Sequence, residues 1–275
     1  GLTKGGPAFI IQEKEGEIMK KFFSVLAAGL ALLFALAACV PAAQAPGDTS
    51  SLGEDYSGVN DKIADFTQGL SNNFHASNWA NGGMFDCVWR WDHVRYNAEK
   101  KVVELAFSQE NGTNYAGEYR SNAFYGYGYF SVCMKAVKKD GVVSSLFTYT
   151  GPSDGKPWDE IDVEFLGNDT TQVQFNYYTN GEGHHAYLYK LGYDASEEFH
   201  EYGFFWGEGE IVWYVDGKPV YRATENIPVT PARIMINAWP GKKENVGDWS
   251  GVFNGVYPIA SAEYKWIGYR AADAE

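Results

Sequence analysis

From residue 88 onward the chain alternates apolar and polar positions with a period of two, broken by short turn-rich gaps. A strand turns successive side chains to opposite faces, so this period marks half-buried strands. It predicts strands at 88–96, 102–107, 125–137, 142–149, 160–166, 173–179 and 186–191, then at 233–239 and 264–269. Between these, Ile211-Val-Trp-Tyr-Val-Asp-Gly-Lys-Pro-Val220 reads as a hairpin with Asp216-Gly217 at its turn. No segment in this region carries a convincing helical period. Many antiparallel strands in one unit of about 200 residues predict an all-β fold. The expected form is a jelly-roll β-sandwich of two curved antiparallel sheets around a concave cleft.

The first part of the chain has a different pattern. Met19-Lys-Lys21 precedes an apolar run from Phe22 to Ala38. A basic start, an apolar middle and a small-residue end make residues 19–38 a secretory signal. The run is slightly short for a membrane span of about 20 residues. It ends Leu36-Ala-Ala-Cys39, which resembles a bacterial lipoprotein signal, with Cys39 as the lipidated residue. Residues 1–18 begin with Gly, and translation is expected to start at Met19. Residues 39–65 are rich in Ala, Pro, Ser, Gly and Asp and are expected to form a flexible linker. The folded domain is assigned to 66–275. The expected location is exported, extracellular or on the cell surface, with membrane contact only through the lipid on Cys39. A monomer is expected.

Charge narrows the partners. Beyond residue 38 the chain carries 18 basic and 32 acidic residues. Nucleic acid needs a basic footprint, so it is excluded as a partner. Aromatics make up 16% of the chain, enough to line a polysaccharide site as well as a core. No Cys/His cluster has zinc-ligand spacing, so no metal is expected, and no cofactor is expected because two-carboxylate chemistry needs only carboxylates and water. If Cys39 carries lipid, Cys87 and Cys133 remain, and export permits a bond between them.

The chemistry concentrates in Trp158-Asp-Glu-Ile-Asp-Val-Glu-Phe-Leu-Gly167. On a strand Glu160, Asp162 and Glu164 share one face, while Ile161, Val163 and Phe165 face a core. Asp and Glu are poor strand residues, and adjacent acids push their pKa values apart. Stability does not call for that arrangement. A hydrolase that needs one protonated and one ionised carboxyl does. A flat strand would hold the Cα atoms of Glu160 and Glu164 roughly 13 Å apart. Retaining glycosidases use carboxyls about 5–5.5 Å apart, so the strand is expected to curve.

This segment resembles the active-site strand of bacterial lichenases, the endo-β-1,3-1,4-glucanases of glycoside hydrolase family 16. The similarity extends in order through Asn81-Gly-Gly-Met-Phe-Asp-Cys-Val-Trp-Arg90, Glu118-Tyr-Arg-Ser121, Tyr125-Gly-Tyr-Gly128, Val143–Pro152, Val173–Gly181, Trp213–Gly217 and Ile227-Pro228. It implies a retaining endo-glycosidase acting on mixed-linkage β-1,3-1,4-glucan. Glu160 is then the nucleophile, Glu164 the acid/base and Asp162 the assisting acid. The resemblance also implies sugar contacts at Asn81, Glu118, Arg120, Phe147, Tyr149, Trp158, Gln174, Asn176, Tyr178, Asn237 and Trp239. Trp249, in surroundings that read as a loop, is a further candidate platform. Two departures stand out. The position that would pair with Cys87 in Bacillus-type relatives is Ala116, so that disulfide is absent. Lys265 stands in Tyr264-Lys-Trp266 where the relatives carry a calcium-binding Asp, and a cation cannot ligate calcium. Two alternatives remain: a hydrolase of β-1,3-glucan or another β-glycan, and a non-catalytic carbohydrate-binding jelly roll. The unbroken Glu-Ile-Asp-Val-Glu spacing favours the mixed-linkage reading over the first.

Overall fold

The computed structural model describes residues 52–57 and 61–273. The expectations for residues 1–18, the signal at 19–38 and lipidation at Cys39 lie outside the described residues. The strands, in chain order, are β1 (Lys62–Asp65), β2 (Phe74–Ala76), β3 (Val88–Trp89), β4 (Val94–Asn97), β5 (Val102–Leu105) and β6 (Ser108–Glu110). Then come β7 (Thr113–Ser121), β8 (Gly128–Lys135), β9 (Val142–Thr150), β10 (Asp159–Leu166), β11 (Gln172–Tyr178) and β12 (Tyr187–Lys190). The series closes with β13 (His200–Gly207), β14 (Glu210–Val215), β15 (Lys218–Ala223), β16 (Arg233–Pro240) and β17 (Ala262–Ala271). One helix, α1 (Lys243–Ser250), lies between β16 and β17.

Two sheets stack face to face. One runs β15-β14-β13-β8-β17-β5-β4, with β1 added on β17. The other runs β12-β11-β10-β9-β16-β7-β2, with β3 and β6 added on β7. Pairing is antiparallel except for β3 on β7. This is the expected β-sandwich, and its core is the space between the sheets. Ile161, Val163 and Phe165 of β10 meet Trp213 of β14, Phe204 of β13 and Phe130 of β8 there, all at most 1% exposed. Trp213 also donates its indole N–H to the backbone oxygen of Asp162 at 3.0 Å, tying the second sheet to the acidic strand. The Asp216-Gly217 turn forms as expected, with φ of 49° and 72°. Both central residues of such a turn need positive φ, which Asp tolerates and Gly adopts freely.

Several expectations need correction. The linker assigned to 39–65 ends early: Lys62–Asp65 is strand β1, paired to β17. Tyr56 is also packed, stacked on Tyr129 with ring centroids 4.2 Å apart. The single strand expected at 88–96 is broken by a 3-10 turn at Trp91–His93. Fully buried His93 explains the break: it hydrogen-bonds Asp92 and Ser108, both at 2.8 Å, and draws the backbone inward. Strands β7 and β13 carry no clean alternation because both faces are largely buried. Helix α1 buries only Val246 and Ser250, too few to print a helical period on the sequence.

Candidate active site

Register places the acids. Directly paired residues on neighbouring strands share a face. Following the pairs across the second sheet gives three transverse rows on its outer face. Tyr178, Glu160, Tyr149 and Arg233 form the first. Asn176, Asp162, Phe147, Met235 and Arg120 form the second. Gln174, Glu164, Ser145, Asn237 and Glu118 form the third. Eleven of the fourteen residues predicted from sequence as catalytic or sugar-contacting lie in these rows. Trp158 joins them from the loop before β10, stacked on Tyr178 with centroids 4.7 Å apart.

Each acid has its own partner. Trp158 donates its indole N–H to Glu160 Oε2 at 2.5 Å. Gln174 donates its amide to Glu164 Oε2 at 2.9 Å. Asp162, 4% exposed, lies between them. Burial pushes the Glu160 carboxyl up to about 7, although the Trp158 bond favours its charged form. Burial pushes Glu164 up to about 8, opposed by Gln174 and reinforced by the charge of Glu160. Asp162 is held well above the usual carboxylate range by burial and then by both neighbouring acids. Burial and mutual repulsion together keep the three acids of this row from all ionising near neutral pH.

A second acid closes the far end of the third row. Glu118 is 4% exposed and accepts from Ser77 Oγ at 2.6 Å and Asn237 Nδ2 at 3.4 Å. Ser145 Oγ donates to Asn237 Oδ1 at 2.6 Å, which fixes the amide orientation. Ser77 and Met235 were not singled out in the sequence: the register reveals Met235, and the bond to Glu118 reveals Ser77. Asn176 Oδ1 is buried without a protein partner, as suits a group that bonds a ligand, while the Asn81 side chain reaches the Cys87 thiol.

Two predicted positions behave differently. Trp239 faces the same side as Asn237 but is only 2% exposed. Phe85 packs edge-on against it at 4.7 Å and Trp249 lies 6.2 Å away. These two rings hold its indole in place, and as a sugar contact it rests on the resemblance alone. Trp249 stands in α1, not in a loop, and donates its indole N–H to Gln174 Oε1 at 2.9 Å. These tryptophans belong to a satellite apolar cluster with Cys87, Trp89, Ala116, Val143 and Val246. Both Cys87 and Cys133 are free thiols. Lys265 lies over the Phe199 ring at 4.1 Å.

Residues 81–262 match the sequence model of Glycosyl hydrolases family 16. A beta-glucanase of Acetivibrio thermocellus is 51% identical over 210 residues, covering 75% of this chain. The chain spans 61% of the length of that relative. A solved beta-glucanase of Bacillus licheniformis superposes with a TM-score of 0.72 at 43% identity, covering 77% of this chain and 98% of that one. A solved prokaryotic beta-1,3-1,4-glucanase (lichenase) derived from a mouse hindgut metagenome gives a TM-score of 0.70 at 44% identity, with 75% and 96% covered.

Proposed function

The chain belongs to glycosyl hydrolase family 16, and on that premise we propose that it is a retaining endo-glucanase of mixed-linkage β-1,3-1,4-glucan. The observation that carries the proposal is the row Glu160, Asp162, Glu164, whose outer members have different donors and whose carboxyls are all raised by burial. The names of the relatives support the substrate.

Glu160, the acid whose charged form the Trp158 indole favours, acts as nucleophile. Its carboxylate attacks the anomeric carbon while Glu164 gives its proton to the leaving glycosidic oxygen. A covalent glycosyl-enzyme results. Glu164, now ionised, takes a proton from water, and that water displaces Glu160 to restore the starting state. Each displacement inverts the anomeric centre, so the product keeps the β configuration. Asp162 holds the intervening proton, so Glu160 can lose its charge and regain it without a lone anion in a buried row. The amides of Asn176 and Asn237, with Glu118 and Arg120, bond sugar hydroxyls, and Trp158 with Tyr178 offers a flat wall.

The same proposal includes export by the 19–38 signal, a lipid on Cys39, a cell-surface location and a monomeric state. Mass spectrometry of the mature N-terminus tests the first two. Cleavage elsewhere than before Cys39 overturns them.

The activity is tested by offering barley mixed-linkage β-glucan, pure β-1,3-glucan and cellulose, and sizing the products. Short oligosaccharides from the mixed polymer alone, lost in Glu160→Gln while binding persists, are the expected result. Cleavage of pure β-1,3-glucan would shift the substrate. Binding without cleavage of any of the three would make the domain a carbohydrate-binding module.

A further inference from the structure

Trp79 and Trp91 are the exposed tryptophans of the described chain, at 43% and 64%. The mechanism above uses neither. They belong to neighbouring segments: the Trp79 oxygen accepts from the Trp89 backbone N–H at 3.0 Å, and Asn78 Oδ1 accepts from the Trp91 N–H at 3.3 Å. Both segments border β7, the strand that carries Glu118 and Arg120.

Arg120 connects this pair to the cleft. It ends the row that starts from Asn176 and Asp162, and its guanidinium lies 5.3 Å over the Trp79 ring. The rows therefore continue past the β7 edge onto indole. Trp91 is also held firmly. It opens the 3-10 turn whose last residue, His93, is fully buried and bonded to Asp92 and Ser108. An exposed indole on an anchored turn loses little freedom on binding. Exposing so large an apolar side chain is otherwise a standing cost in water.

We propose that Trp79 and Trp91 form an aromatic platform that holds the β-glucan chain where it leaves the cleft across the β7 edge. The inference rests on the proposed glucanase reading. The occupant follows from continuity: a polymer crossing the rows toward Arg120 meets Trp79 next. A neutral pyranose presents an apolar face that an indole covers well, and the pair needs no charge to bind it.

The experiment compares Trp91→Ala with wild type on long mixed-linkage β-glucan and on a mixed-linkage tetrasaccharide. Affinity for both ligands is measured in the Glu160→Gln background. The expected result is a fall in polymer affinity, and in the polymer-to-tetrasaccharide ratio of kcat/KM, of roughly three- to tenfold. Trp91→Phe, which keeps a flat ring, recovers part of the loss. Trp79→Ala gives a loss in the same direction. Equal polymer affinity for Trp91→Ala and wild type overturns the platform while leaving the glucanase reading intact. A change in sedimentation with glucan binding unaltered would make the patch an interface between protein copies, and also overturns it. Wild type that neither binds nor cleaves β-glucan would instead defeat the reading underneath.

Discussion

Trp249 donates its indole hydrogen to Gln174 Oε1 at 2.9 Å, and so fixes which end of that amide faces Glu164. The amide nitrogen then donates to Glu164 Oε2 at 2.9 Å. A side chain on α1 thus reaches the proposed acid/base through one intermediate, and it favours the charged form of that acid.

Trp249→Phe removes this constraint and lets the amide turn. Glu164 then loses a donor that stabilises its carboxylate, and its pKa rises further. The alkaline limb of kcat/KM against pH, which marks the loss of the acid's proton, is expected to move to higher pH. Gln174→Leu moves it the same way and further. A pH–rate series on a soluble substrate decides this, and an alkaline limb that stays put or moves down refutes the relay.

Stability has a definite pH sign here. The folded pKa values of Glu160 and Glu164 lie near 7 and 8, above the ordinary 4.5. The native state therefore binds more protons than the unfolded chain between about pH 4.5 and 8. The contribution of these groups is fully present below that window and is lost as pH rises through it. Glu164→Gln cannot ionise. Its melting temperature is expected to exceed that of wild type at pH 8, by on the order of a few kcal/mol in stability, and to match it near pH 4.5. Thermal unfolding at both pH values checks this. A variant less stable at pH 8 would reverse the sign.

Trp213 is fully buried and its indole N–H reaches the Asp162 oxygen at 3.0 Å. Trp213→Phe loses that bond and leaves space in the core. The expected cost is about 1–3 kcal/mol in urea unfolding. A companion fall in kcat is expected, because Asp162 stands on the strand this bond steadies. A cost under about 0.5 kcal/mol would show that the tie contributes little.

Cys87 and Ala116 share the satellite cluster, and Ala116 pairs across the strands with Trp89, two residues from Cys87. Ala116→Cys is expected to form a bond to Cys87 under oxidising conditions. Closing a loop of this size contributes about 3.6 kcal/mol in the chain-entropy account. Intact-mass measurement and thiol titration read the outcome. Two persisting free thiols at these positions would show that the backbones are misplaced for a disulfide.

Much of the site was legible before the fold was known. The triplet Glu160, Asp162, Glu164 is visible because a period of two with acids on one face is rare and has few structural uses. Asn176, Gln174 and Tyr178 were legible only by resemblance, since an amide or phenol on a strand has no period that separates contact from packing. The platform at Trp79 and Trp91 left no signal, because sequence does not distinguish an exposed indole from a buried one. Trp239 was legible only by resemblance, and the fold sets Phe85, some 150 residues earlier in the chain, edge-on against it. Trp249 was placed in a loop from its Gly- and Asp-rich surroundings, and a helix of eight residues with two buried positions prints too little period to override that signal.

The sequence alone determined the β class, the hairpin at Asp216-Gly217, the sidedness of the acidic strand and the absence of a partner cysteine at position 116. These are local matters of side-chain period, turn conformation and residue identity. The tertiary structure decided everything that depends on register between distant strands. It put Gln174, Glu164, Ser145, Asn237 and Glu118 in one row from five separate strands, and it set Trp249 behind Gln174. It also buried the acids deeply enough to raise their pKa values, because desolvation depends on what the rest of the chain packs around a group.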